Sequence, residues 1–279
     1  MSLPDIDFAA STALVTGGSS GIGLAIAKEL VKRGVRQLVI TGTDETKLDK
    51  VASEIKSSAS DLKLHTLSID LSSHDGPSNL YKQVQEWGLS IDLLVNNAGF
   101  ARKYIFAEDP ASDSSLKTVD LMVRAPVDLA LLCLPSMVKA GRGGVLNVGS
   151  TAAYQPVPYT ALYAASKAFI LSWSQAIRQE QISAKTGVRF ACVVPGITET
   201  NLAGDGHGEK RGPIDNVGID QPEDVAKVAV DVLEANDATR IVGWNNKIFQ
   251  GAMGLLPTST VAGIVASARG PPGEGSKTE

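Results

Sequence analysis

Thr12-Ala13-Leu14-Val15-Thr16-Gly17-Gly18-Ser19-Ser20-Gly21-Ile22-Gly23 decides the fold of this 279-residue chain. An apolar, strand-like run leads straight into glycines, and an amphipathic pattern continues to Arg33 and stops at Gly34. A strand that turns on glycines and opens a helix is built to hold phosphate. Gly17, Gly21 and Gly23 let the backbone turn sharply and approach a pyrophosphate, while the free amides and dipole of the helix N-terminus favour an anion. A loop of the Gly-Lys-Ser/Thr kind is excluded, because no such triplet follows.

Outward from this stretch, apolar runs alternate with amphipathic ones. That rhythm predicts a parallel sheet covered by helices on both faces: an α/β, Rossmann-type doubly wound fold of about seven strands. Strands are expected at 12–16, 37–41, 63–69, 92–96, 144–149, 188–194 and 239–243. Helices are expected at 21–33, 45–57, 75–88, 111–140, 160–185, 222–235 and 245–256. A chain that is 43% hydrophobic can bury one large core, so 1–269 reads as a single domain. Its end, Gly270-Pro271-Pro272-Gly273, opens a tail over 270–279 expected to be disordered. A net charge of −4 argues against a nucleic-acid surface. Cys133 and Cys192 lie in apolar runs without zinc-ligand spacing, His65, His74 and His207 are scattered, and no metal is expected. The acidic start, Pro4-Asp5-Ile6-Asp7, lacks a signal-peptide pattern, so a cytoplasmic protein is expected. Residues 248–268 are broken by Pro257, which argues against a membrane span and for packing on the same chain or a sister subunit.

A second constellation carries chemistry. Tyr163 and Lys167, four apart, share one face of a helix, and Ser150 ends the apolar run Val145-Leu146-Asn147-Val148. A phenol ionises at a pKa of about 10, so work near neutral pH needs about 4 kcal/mol of help. An ammonium about 4 Å away supplies that much at an effective dielectric of about 20. Ser150 can hydrogen-bond the oxygen of an alcohol or carbonyl, and the three together read as an acid/base centre. The pair alone is weak evidence, since this composition yields about 0.3 such pairs by chance.

Taken together, the motifs over about residues 8–250 resemble the short-chain dehydrogenase/reductase family. Thr16-Gly17 with Gly21 and Gly23 resembles its cofactor loop, Asn96-Asn97-Ala98-Gly99 its strand-four motif, and Pro195-Gly196-Ile197-Thr198-Glu199-Thr200 the segment beside the nicotinamide. The resemblance implies Ser150, Tyr163 and Lys167 as catalytic residues. It implies a dinucleotide held by Gly17, Ser19, Ser20, Gly21, Ile22, Gly23, Thr43, Asp70, Leu71, Asn97, Ala98, Gly99, Tyr163, Lys167, Pro195, Gly196, Ile197, Thr198 and Thr200. It also implies a substrate lid over 201–218 and a homodimer or homotetramer.

The chain departs from the pattern twice. Met122 stands where the family usually has an asparagine whose backbone carbonyl holds a water in the proton relay; a thioether cannot replace that side chain's hydrogen bonds. At the end of the second strand, Gly42 and Thr43 leave neither the acid that favours NAD nor the arginine that favours NADP. The hydroxyl at Thr43, with Lys47 one turn on, tips the expectation towards NADP(H) over NAD(H), and Asp44 reads as a local turn residue. The expected function is interconversion of a secondary alcohol and a ketone. Tyr154, Tyr159 and Phe106 point to a largely apolar substrate. The alternatives are reduction of another C=X bond, or a dinucleotide-binding regulatory or scaffold protein; Ser150 argues against the last.

Overall fold

Burial of period two builds the sheet. The computed structural model describes residues 3–108, 112–198 and 219–271. Glu199, Thr200, the expected lid at 201–218 and the tail from 272 onward lie outside them. Seven parallel strands, β1 Thr12–Val15, β2 Gln37–Gly42, β3 Lys63–Ser68, β4 Leu93–Asn96, β5 Gly144–Val148, β6 Arg189–Val194 and β7 Thr239–Ile241, run in the order β3-β2-β1-β4-β5-β6-β7. Alternate residues enter opposite cores. Ala13, Val15, Leu38, Ile40, Leu93 and Val95 face one side, while Leu14, Val39 and Leu94 face the other. Three helices cover the first face: α1 Gly21–Lys32, α2 Glu45–Ser58 and, after the sixth strand, α7 Pro222–Glu234. The second face is covered by α3 Gly76–Glu86, α5 Ala125–Ala140 and α6 Ala161–Ala184. The expected seven-stranded doubly wound sheet is therefore present, with its order reversing at β1 and β4, where such sheets bind ligands.

Two expected elements come out differently. The single helix 111–140 is divided into α4 Ser112–Val119, a π-helical turn Asp120–Arg124 and α5. Proline explains the division. Pro126 has no N–H to give the carbonyl of Met122 in α-helical register, and the N–H of Ala125 bonds instead to Asp120, five residues back. Residues 115–140 are long and apolar enough to cross a membrane, yet Leu129, Ala130, Cys133 and Met137 are buried in the second core. The other difference is an additional helix. Pro257 closes off α8 Trp244–Met253, and α9 Thr258–Arg269 follows. Its Thr258, Thr260, Val261 and Val265 are β-branched and Gly263 is flexible, so local propensity hides it. Tertiary packing supplies what propensity lacks: Val261 and Val265 bury against Val157 and Ala164, so the stretch packs on its own chain.

Met122 is 2% exposed, and its side chain lies 3.4 Å from where Gly99 would carry a Cβ. It packs the junction between the π turn and the strand-four motif, a common use of methionine. Met122→Leu is expected to stay within about 1.5 kcal/mol of the wild type. Met122→Asn, which buries an amide in that contact, is expected to lose about 1–3 kcal/mol in urea unfolding. Equal stability of the Asn variant would show that carbonyls of the π turn take up its amide.

Candidate active site

The crevice at the reversal of strand order is closed at its base by one side chain crossing between the two halves. Asn97, following β4, donates from Nδ2 to the carbonyls of Thr16 and Gly17 at 2.9 and 3.1 Å. The hydroxyl of Thr16 accepts from the N–H groups of Asn97 and Ala98 at 3.0 and 3.1 Å and donates to Val95 O at 3.2 Å. The first turn of α1 lies directly on this crossing. A Cβ on Gly23 would sit 2.3 Å from Gly17 O and 2.4 Å from Asn97 Nδ2, so only glycine fits. Ser20, the residue capping α1, makes no side-chain hydrogen bond to the helix amides. Those amides stand where the glycine pattern predicts an anion.

Above this base lies a cleft of about 860 Å³ that brings together almost every residue the sequence singled out. Its walls contain the loop residues 17 and 19–22, the strand-end residues 43, 70 and 71, the turn 97–99 and the segment 195–198. Gly23 lies beneath it, as the tight contact requires, and Thr200 falls outside the described residues. Asp70 accepts from Ser72 N and Ser72 Oγ at 2.9 and 2.6 Å, and the hydroxyl's hydrogen bond is the chief reason its carboxyl titrates below the usual range. Lys47, expected to bring positive charge towards the ribose, is engaged elsewhere, and Asp44 is the local turn residue that the sequence predicts. Asp44 caps α2 by accepting from Lys47 N at 3.0 Å, and Lys47 Nζ pairs with the same carboxylate at 3.5 Å. Neither lines the cleft, whereas Thr43 does.

Ser150, Tyr163 and Lys167 converge on the same cleft. Ser150 ends the loop after β5, and Tyr163 and Lys167 sit on the first two turns of α6. Burial pushes the Tyr163 phenol above its ordinary value; a hydrogen bond to Ser150 and the positive charge of Arg269 pull it down. Lys167 is buried and its ammonium donates to Val148 O at 2.7 Å, 5.8 Å from the centre of the tyrosine ring. Desolvation lowers it to about 8. The lysine is thus tethered to a backbone carbonyl with its charge held over the tyrosine ring.

Several further residues complete the site. Asp220 accepts from Gly196 N at 3.0 Å and from Asn246 Nδ2 at 3.1 Å, fixing the segment after β6. Burial is the main reason its carboxyl is raised. Asn246 fills the space where a Cβ on Gly196 would lie, at 2.3 Å, which is why a glycine stands there. Gln155, Gln250 and Arg269 also line the cleft. Phe106, Tyr154 and Tyr159 do not, so the expectation of apolar walls built by these aromatics is corrected. Phe106 and Tyr154 are exposed. No sequence signal marks Arg269, which reaches the site only because α9 folds back over it.

The family model described as short chain dehydrogenase matches residues 11–210. The chain belongs to the short-chain dehydrogenase/reductase family. It is 35% identical over 196 residues to the very-long-chain 3-oxoacyl-CoA reductase of Bos taurus, a match covering 68% of this chain and 60% of that protein. It therefore spans less than two thirds of the length of that relative. Among solved structures, a short-chain dehydrogenase from Sphingobium yanoikuyae in complex with NADPH superposes with a TM-score of 0.73 at 25% identity, covering 87% of this chain and 93% of that one. A 3-ketoacyl-(acyl-carrier-protein) reductase from Brucella melitensis complexed with NADH gives 0.70 at 26%, covering 84% and 96%. With these relatives, the glycine cradle and the uncapped amides of α1, the residues fit a nicotinamide dinucleotide, and the chain is an NAD(P)-dependent oxidoreductase.

The burial of Lys167 has a measurable sign. It titrates at about 8 in the folded chain against an ordinary 10.5. Between these values the unfolded chain holds a proton the folded one has released, so stability rises with pH, by up to about 1.4 kcal/mol per unit. The buried thiols of Cys133 and Cys192, raised from 9.0 to about 12 and about 11, oppose this in the alkaline range. Comparing denaturant unfolding of the wild type and Lys167→Met from about pH 7.5 to about pH 10 isolates the lysine. The wild type should gain on the variant as pH rises; a constant difference would show the ammonium is fully compensated by Val148.

Proposed function

We propose that the chain interconverts a secondary alcohol and a ketone, with Tyr163 as the general acid/base, Ser150 orienting the substrate oxygen and Lys167 supporting the phenol. Bound nicotinamide dinucleotide supplies or accepts the hydride. The observation that carries this reading is the convergence of Ser150, Tyr163 and Lys167 on the same cleft as the glycine loop and the first turn of α1. In reduction, Tyr163 gives its proton to the developing alkoxide while Ser150 donates to the same oxygen; in oxidation the proton returns to Tyr163. Lys167 holds positive charge near the phenol during the transfer, and its tether to Val148 fixes where that charge sits.

NADP(H) is the preferred cofactor in this reading. Thr43 lines the cleft, the carboxylate of Asp44 is committed to capping α2, and a Cβ on Gly42 would lie 2.8 Å from Ser19 Oγ. With glycine at 42 no carboxylate stands at the end of β2 to repel a 2′-phosphate, and an acid there would have to turn the Ser19 hydroxyl aside. The exposed apolar residues Leu131 and Val138 on α5 and Phe169 on α6 support a homo-oligomer built through those helices.

Two measurements test the reading. Tyr163→Phe should still bind reduced cofactor while turnover across a ketone panel, followed by nicotinamide absorbance, falls about a hundredfold or more; unchanged turnover removes Tyr163 from the chemistry. Fluorescence titration should find NADPH binding at least as tightly as NADH, and a marked preference for NADH would assign the ribose contact to a group other than Thr43.

A further inference from the structure

Helix α8 is turned inside out. Its buried positions are the polar residues Asn246 and Gln250. Asn246 Nδ2 donates to Val242 O at 2.9 Å and to Asp220 Oδ2 at 3.1 Å, and Gln250 Nε2 donates to Thr151 O at 3.3 Å. The apolar residues point the other way. Trp244, Ile248 and Leu255 recur at helical spacing along the helix and the turn that closes it, and they are 72%, 56% and 86% exposed. Leu256 beside them and Ile264 of α9 are exposed as well. A surface helix ordinarily turns its apolar stripe to the core. Here the hydrogen bonds of Asn246 and Gln250 fix the rotation, so the stripe cannot roll inward without breaking them. Its apolar partner therefore lies outside the chain. The exposed residues assigned above to self-association sit on α5 and α6, which leaves α8 for something else.

Charge indicates what that partner is. No aspartate or glutamate occurs between Asp237 and Glu274, although the chain holds 30 acidic residues and a net charge of −4. The ionisable residue of the helix itself is Lys247, which is exposed and precedes Ile248 in the stripe. We propose that α8 and the turn after it form a docking face for an anionic lipid bilayer, on which the chain lies without spanning it. Trp244, Ile248, Leu255 and Leu256 enter the boundary between headgroups and acyl chains, where tryptophan in particular is at home. Lys247 lays its aliphatic stem along the same boundary and sets its ammonium among the lipid phosphates. A carboxylate in this stretch would be repelled by such a surface, and none is present. The opposite side of the same helix lines the cleft through Asn246, Phe249 and Gln250. A docked chain thereby holds its cleft about 10 Å, one helix diameter, from the lipid.

Flotation of the full chain with phosphatidylcholine vesicles, prepared with and without phosphatidylserine, tests the proposal. The chain should float with the anionic vesicles and bind the neutral ones about fivefold more weakly, the scale of one basic residue at a charged surface. Replacing both Ile248 and Leu255 by serine should cut binding to anionic vesicles about tenfold or more. Both side chains are exposed, so urea unfolding of this double variant should match the wild type. Lys247→Glu should remove the preference for anionic lipid while leaving binding to neutral vesicles in place. Failure of the wild type to float with either vesicle overturns the proposal, as does equal flotation of the wild type and the double variant. Equal binding to both lipids overturns the assignment of an anionic surface. Sedimentation velocity identifies the rival occupant: if the wild type binds no vesicle and the double variant breaks an oligomer into monomers, the face joins two copies of this chain and the lipid proposal is wrong.

Discussion

The crossing of Asn97 to the carbonyls of Thr16 and Gly17 is the contact on which the site is assembled. It joins β1 to β4, the one adjacent pair where the strand order reverses, and it occupies the space beneath the first turn of α1. Without it two strand ends would present unpaired carbonyls to a buried crevice, at a cost of about 1–3 kcal/mol for each group left without a partner. With it, the backbone is fixed closely enough that Gly23 has no room for a methyl group. The amides of α1, the turn 97–99 and the glycine loop are then held at fixed distances from one another, so the anion site exists before any anion arrives.

At the far end of the cleft the governing term is desolvation. The same burial that raises Tyr163 lowers Lys167, because each loses water around its charged form. An ion pair between them would have to overcome both losses, and the lysine instead donates to a carbonyl that asks no charge of its partner. Lys167 is thereby held by Val148 with its ammonium 5.8 Å from the ring centre of Tyr163.

The sheet, its helices and the meeting of Ser150, Tyr163 and Lys167 in one cleft were legible in the sequence because each rests on local pattern: Leu38-Val39-Ile40 alternates between two cores, Gly17 and Gly23 mark a close approach, and Tyr163 and Lys167 lie one turn apart. What was not legible depends on contacts between distant segments. The π turn follows from Pro126 withholding a hydrogen bond, a signal present in the sequence but readable only once the surrounding helix is known to continue. α9 has poor intrinsic propensity and exists because Val261 and Val265 find Val157 and Ala164, about a hundred residues earlier. Arg269 and the Asp220–Asn246 latch on Gly196 inherit that difficulty. The aromatics Tyr154 and Phe106 misled in the opposite sense, since proximity in sequence to the catalytic loops did not turn them into the cleft.

Discrimination between cofactors follows from how β2 ends. Asp44 is the acid nearest the ribose position, and in a different turn it could have reached the sugar hydroxyls. Here it caps α2 through Lys47 N, and Lys47 folds back onto the same carboxylate. A helix cap contributes about 1 kcal/mol, so turning Asp44 towards a ribose would sacrifice that contact and release Lys47. The pair behaves as a closed unit with little net field towards the cleft. Gly42 is the remaining position where an acid could act, and a side chain there would have to turn the Ser19 hydroxyl aside. The NADP(H) preference proposed above therefore rests on repulsion that is absent rather than on a dedicated cation.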